Sequence, residues 1–157
     1  MRGAPILLAA LALVSGVALA GSHATASAAG PSPNGAQLYT RCAACHTGTG
    51  AGVPGAYPPL GVDFRAQATT AMGRRYLALA VIKGLMGPLN VQGQNYRGVM
   101  PAQASLNDAA VAAVLNHVGT AIARVGPPFR PFTAAEVATA RASGAKLTSA
   151  DVAKLHP

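Results

Sequence analysis

The chain has 157 residues, is 51% hydrophobic and only 10% charged, and carries 12 Lys and Arg against 4 Asp and Glu, a formal net charge of +8. Two cysteines allow at most one bridge, which excludes a disulfide-stapled scaffold, and the absence of tryptophan leaves few large side chains for a core. The positive charges are scattered, a balance suited to an acidic protein partner or an anionic membrane surface rather than to nucleic acid.

Residues 1–20 read as a secretory signal peptide. Arg2 precedes an apolar run over residues 6–19, and Ala18-Leu19-Ala20 ends it with a small-residue cleavage site. The run is too short and wrongly flanked to span a bilayer, so the expectation is an exported, periplasmic protein. Residues 21–33 are a Ser, Ala, Gly and Pro tract without periodicity, read as a flexible leader.

Organisation begins at residue 34. A helix is predicted over 34–45, with Asn34 as N-cap and Gly35, Leu38, Tyr39, Cys42 and His46 on one face. Glycines and prolines across 47–70 predict an irregular loop. A second helix is expected over 72–83, with Met72 in the core and Gly84 as a C-terminal stop. Gly87-Pro88 and the polar residues 92–97 read as another loop, ending in Tyr96-Arg97-Gly98-Val99-Met100-Pro101. A third helix starts at Ser105 or Asn107, and Val111, Val114, Leu115, Val118 and Ile122 give it a buried stripe. Gly126-Pro127-Pro128 stops it. The tail contains Thr133-x-x-Glu136, a capping box opening a helix to about residue 142, and a turn over 149–155. No segment reads as a strand, so the expected class is all-α.

Cys42-Ala43-Ala44-Cys45-His46 is the C-x-x-C-H pattern of covalent c-type haem attachment. Two thiols one helical turn apart add across the two vinyl groups, and the adjacent imidazole reaches the iron. A thioredoxin-like pair would want a preceding strand in a βαβ unit, and structural zinc would want four ligands; neither pattern is present. With His46 as one axial ligand, Met72, Met86 and Met100 compete for the other. Met100 is favoured because it lies in a loop just before a helix, with Pro101 fixing the backbone after it, whereas a thioether on a buried helix usually fills a gap. Met86 is the runner-up. His23 in the leader and His156 at the chain end read as solvated, and His117 as a flank of the third helix. Tyr96, in the ligand loop, is expected at the haem. Tyr76 is a further candidate there, and Arg65, Arg74, Arg75 and Arg97 are candidates for a haem propionate.

Over residues 34–125 these features together resemble the class I cytochrome c family: a first helix with Gly35 and Tyr39, the attachment motif, Pro58-Pro59-Leu60, a middle helix, a Tyr-x-Gly-x-Met-Pro loop and an amphipathic last helix. The resemblance implies three core helices around one covalent haem c, with long irregular loops. It implies that Gly35 lets the first and last helices cross closely and that Tyr39 packs at the crossing. It also implies that the carbonyl of Pro58, or else of Pro59, accepts a hydrogen bond from the proximal imidazole, and that Leu60 packs on the haem. His117 stands where the family often has an aromatic residue. Residues 126–157 form a C-terminal extension beyond the minimal domain.

Iron ligated by both His46 and Met100 suits one-electron transfer, and methionine ligation raises its potential. The expected role is a carrier, or a cytochrome subunit like those that accompany periplasmic dehydrogenases, taking electrons from a dehydrogenase and passing them to an oxidase or another cytochrome. The alternative is a haem enzyme or gas-binding sensor with an open distal site. The four acids Asp63, Asp108, Glu136 and Asp151 offer that alternative no evident catalytic group. The tail is expected to serve assembly with a larger periplasmic protein, through Phe129 and Phe132 on a proline-stiffened segment; the alternative is that they fold back on the chain's own surface.

Overall fold

The computed structural model describes Met1 and residues 32–156. All of the expected signal peptide but Met1, nearly all of the leader, and His23 lie outside the described residues.

Helix α1 (Gly35–His46) begins where Asn34 Oδ1 accepts the amide of Gln37 at 3.1 Å, satisfying one of the free donors of the first turn. It crosses α4 (Asp108–His117) so closely that a Cβ on Gly35 would run into the carbonyl of Ala113. Tyr39, 4% exposed, fills the crossing. Its ring lies 5.3 Å from that of His117 at 49°, so histidine takes over the aromatic packing, and its hydroxyl donates to the Thr47 carbonyl at 2.8 Å.

The loop expected over 47–70 contains a short helix, α2 (Val62–Gln67), which packs on α3 (Ala71–Lys83). Thr70 caps α3 by accepting the Gly73 amide at 3.0 Å, and Gly84 ends it at φ 72. From Tyr76 to Ile82 every residue of α3 is buried, as befits a central helix surrounded by others. Met72 is the exception to the expectation: it sits in the first turn, 68% exposed, outside the core.

The region expected to be loop between α3 and α4 is built from short strands. β1 (Leu85–Met86) pairs antiparallel with β4 (Val99–Met100), and β2 (Leu89–Val91) with β3 (Gln94–Tyr96). Gln92 (φ 54) and Gly93 (φ 79) make the β2–β3 turn. Two left-handed residues between paired strands give the turn whose twist suits a hairpin. The polar strand β3 and the Gln at the first turn position hid this hairpin from the sequence pattern. Helix α4 starts at Asn107 rather than Ser105, Asn107 Oδ1 accepting the Ala110 amide at 2.9 Å, and runs on into a π-helical turn (Val118–Ile122).

The tail folds back. Helices α5 (Ala134–Ser143) and α6 (Ser149–Ala153) pack on α3 and α4, and among the described residues the largest fully buried side chains are Leu79, Val111, Val137 and Val152, two of them from the tail. Phe132 is 3% exposed, and Asn116 clamps its backbone by donating to its carbonyl at 3.0 Å and accepting its amide at 2.6 Å. The ring of Phe129 lies against Gly119 and 6.2 Å from that of Phe64. Neither phenylalanine is a free docking anchor. The thin core noted in the sequence is completed from the chain's own C-terminus. Thr133 does cap α5 through the Glu136 amide at 3.1 Å, but the Glu136 carboxylate turns to Arg74 instead of closing the box. The reciprocal box belongs to Thr148 and Asp151, at α6.

Candidate haem site

The C-terminal end of α1, the segment around Pro58 and Leu60, α3, the paired strands and α4 enclose a cavity of ≈340 Å³. Cys42, Cys45 and His46 line it from α1. Both thiols are unpaired and half-buried. Burial pushes the Cys42 thiol above its ordinary range; Arg41 opposes that and Cys45 adds to it.

His46 is 8% exposed, and its Nδ1 lies 2.8 Å from the Pro58 carbonyl. A carbonyl can only accept, so Nδ1 carries the proton and Nε2 keeps its lone pair. Burial lowers the imidazole below its ordinary titration range, with the Pro58 bond working against it, so the ring is neutral in the form a metal needs.

Pro58, Leu60, Tyr96 and Met100 line the same cavity. Tyr96 is 6% exposed and faces Leu89 across the β2–β3 pair. Met100 is half-buried and registers with Leu85, and Gly84 lets the backbone approach: a Cβ there would strike the Met100 carbonyl. The next pair in that ladder, Met86 and Val99, is exposed, Met86 to 51%, and Met86 is not among the lining residues. Alternation along a strand sends neighbouring side chains to opposite faces, so Leu85 goes inward and Met86 outward.

Of the arginines considered for a propionate, three are engaged elsewhere: Arg65 donates to the carbonyls of Gly119, Ala123 and Pro127, Arg74 is buried against Glu136, and Arg75 bonds Ser143. Arg97 is exposed beside Tyr96 and is not among the lining residues. Tyr76 lies in the cavity wall as considered. Asp63, Arg41 and His156 are there too, and His156, read from sequence as solvated, has only 9% of its side chain exposed. No local pattern marks them, because α2 and the folded tail bring Asp63 and His156 together across 93 positions.

The donor set fits a haem: two free thiols one helical turn apart, a neutral imidazole with one nitrogen tied down, a thioether, and otherwise mostly apolar walls. The cytochrome c family model matches residues 32–121. Cytochrome c-552 of Thermus thermophilus is 45% identical over 121 residues, covering 76% of this chain and 91% of that protein. A second cytochrome c-552 of the same species is likewise 45% identical over 121 residues, covering 76% of this chain and 80% of its own length. The matched length exceeds that of the family segment, so the likeness continues beyond it. Motif, cavity and comparisons agree, and the chain is a member of the cytochrome c family, a class I monohaem c-type cytochrome that carries one covalent haem c and transfers electrons.

Proposed function

We propose that this cytochrome works in the periplasm as a one-electron carrier, or as the cytochrome subunit of a dehydrogenase or other oxidoreductase, with its haem attached through Cys42 and Cys45 and its iron ligated by His46 and Met100. The observation that carries the reading is the hydrogen bond from His46 Nδ1 to Pro58, which leaves Nε2 free as a ligating nitrogen in the cavity that Met100 also lines. When bound, the haem would supply one-electron exchange, with Cys42, Cys45, His46 and Met100 as the residues that would hold it. The chain fixes the imidazole's tautomer through Pro58, and its Leu60 and Tyr96 line the cavity around that ring.

The apolar leader over residues 1–20 supports export, and the positive charge suits an acidic partner, as a dehydrogenase donor or an oxidase acceptor would present. The haem-enzyme or gas-sensor alternative has less support. Asp108 is paired with Arg141, Glu136 with Arg74 and Asp151 with Thr148, and of the four acids only Asp63 lines the cavity.

The test is optical and mass spectrometry of the protein purified from an exporting host. Expected are one haem added to a chain lacking its first twenty residues, a thioether-to-iron charge-transfer band when oxidised, and no spectral change of the reduced protein under carbon monoxide. Ready carbon monoxide binding would overturn the six-coordinate carrier, and an uncleaved chain would overturn the location.

A further inference from the structure

His156 occupies a place that nothing in the family segment, which ends at residue 121, accounts for. It lies next to the chain end, yet its ring lines the haem cavity, meets Tyr76 edge-on at 5.2 Å and 85°, and sets Nε2 3.2 Å from Asp63 Oδ2. Asp63 also accepts from Gln67 Nε2 at 3.4 Å, and the other amide atom of Gln67, Oε1, is buried without a partner. This is a polar corner in a largely apolar cavity.

A haem brings two carboxylates, on the edge of the ring opposite its vinyl groups. Among the described residues, leaving aside His46, the thiols and the phenols, three ionisable side chains line the cavity: Arg41, Asp63 and His156. Arg41 adjoins Cys42, hence the vinyl edge, and is bonded to Gln103 at 3.3 Å. The corner formed by Asp63, Tyr76 and His156 is the one left for the carboxylate edge. A propionate beside Asp63 would be a bare repulsion between like charges, and the imidazole between α2 and α3 is the group that relieves it.

We propose that His156 is a haem-site residue: anchored by Asp63, it faces a haem propionate and takes up a proton when the site takes up an electron, so that the midpoint potential falls as pH rises through the imidazole range. In the neutral ring Nε2–H donates to Asp63, and the incoming proton binds at Nδ1. One electron comes from the reduced redox partner, up to one proton comes from solvent, and no covalent bond breaks. The groups facing His156 are Asp63 from α2 and Tyr76 from α3. Burial, and secondarily Asp63, hold the Tyr76 phenol far above the ordinary phenol range, so it remains a neutral donor. Lys154, the nearest cation along the chain, is exposed and reaches Asp151. Imidazole is the side chain that changes charge between about pH 5 and 8.

The inference rests on haem attachment at Cys42 and Cys45, which the mass of the purified protein reads separately. The experiment is spectroelectrochemical titration of the intact holoprotein between about pH 5 and 8.5, for the native chain, His156→Gln and Asp63→Asn. Expected is a threefold to tenfold tighter proton binding in the reduced native protein, a tenfold ratio corresponding to about 59 mV for one electron. His156→Gln should give a flat profile, and Asp63→Asn an altered one. Proton NMR of the native protein should show the His156 ring titrating at higher pH when reduced than when oxidised. A native potential independent of pH, an unchanged slope in His156→Gln, or identical titration of His156 in both states would overturn the proposal. If His156→Gln fails to hold haem, the native NMR titration decides alone.

Discussion

Arg74 and Glu136, 62 positions apart, form a two-point ion pair that joins the central helix α3 to the tail, with Arg74 Nη2 2.7 Å from Glu136 Oε2 and Nε bonded to Oε1. Arg74 is 2% exposed and is otherwise satisfied by the carbonyls of Ala68, Arg130 and Pro131 at 3.2, 2.9 and 3.2 Å, while its guanidinium lies 3.7 Å from the centroid of Phe132. A buried charge is tolerable only when paired and hydrogen-bonded in this way.

Glu136→Gln leaves that guanidinium without its counter-charge and should cost about 2–3 kcal/mol, measured by chemical denaturation of the oxidised holoprotein. The hydrogen bond from Arg74 is the main reason the Glu136 carboxyl sits below its ordinary range, against a desolvation that raises it. For a depressed carboxyl the stabilisation is complete above the unfolded value, about pH 4.3, and is lost as pH falls through the folded value. The stability gap between native protein and variant should therefore be constant above about pH 5 and narrow as pH falls below about 4.3. A gap that widens in acid would contradict the pairing.

Ending the chain at Val125 should prevent stable folding. The cut removes Phe132, Val137 and Val152, each worth roughly 1.5–3 kcal/mol when buried, and strips Arg74 of Glu136. Their sum, more than about 5 kcal/mol, rivals the stability of an entire domain. Circular dichroism should show loss of helix in the truncated protein. A native melting curve for it would show the tail to be an accessory.

Met100→Ala should abolish the thioether-to-iron band, lower the midpoint potential and admit carbon monoxide. Met86→Ala, on the outward face of the same strand pair, should change none of the three. Loss of the band in the Met86 variant instead would move the ligand by one ladder position.

Gly35→Val places a side chain against the Ala113 carbonyl, where no rotamer avoids the backbone, and should destabilise the α1–α4 crossing by about 2 kcal/mol or more. Thermal melting of the variant measures it. A midpoint within a degree of the native value would mean that the helices can separate at no cost.

The sequence alone determined what depends on neighbours in the chain. The spacing of Cys42, Cys45 and His46 names the chemistry, Asn34 and Gly84 mark helix ends, and the stripe from Val111 to Val118 shows which face of α4 is buried. Only the tertiary structure decided what depends on where distant segments meet. The proton on His46 is assigned by Pro58, a single carbonyl twelve positions away, and nothing in the residue types chooses it over Pro59. Met72 fits a core helix by type, yet stands in solvent, because the packed side of the first turn of α3 is the one that carries Gly73 and Arg74. The tail's phenylalanines suit an interface as well as a core, and the empty space beside α3 and α4 made them core. His156, polar and nearly terminal, carries the local signature of a solvated residue. Its burial follows from the path of the tail across 93 positions to Asp63, because a long-range contact of this kind is set by how helices pack and leaves no periodicity in the chain.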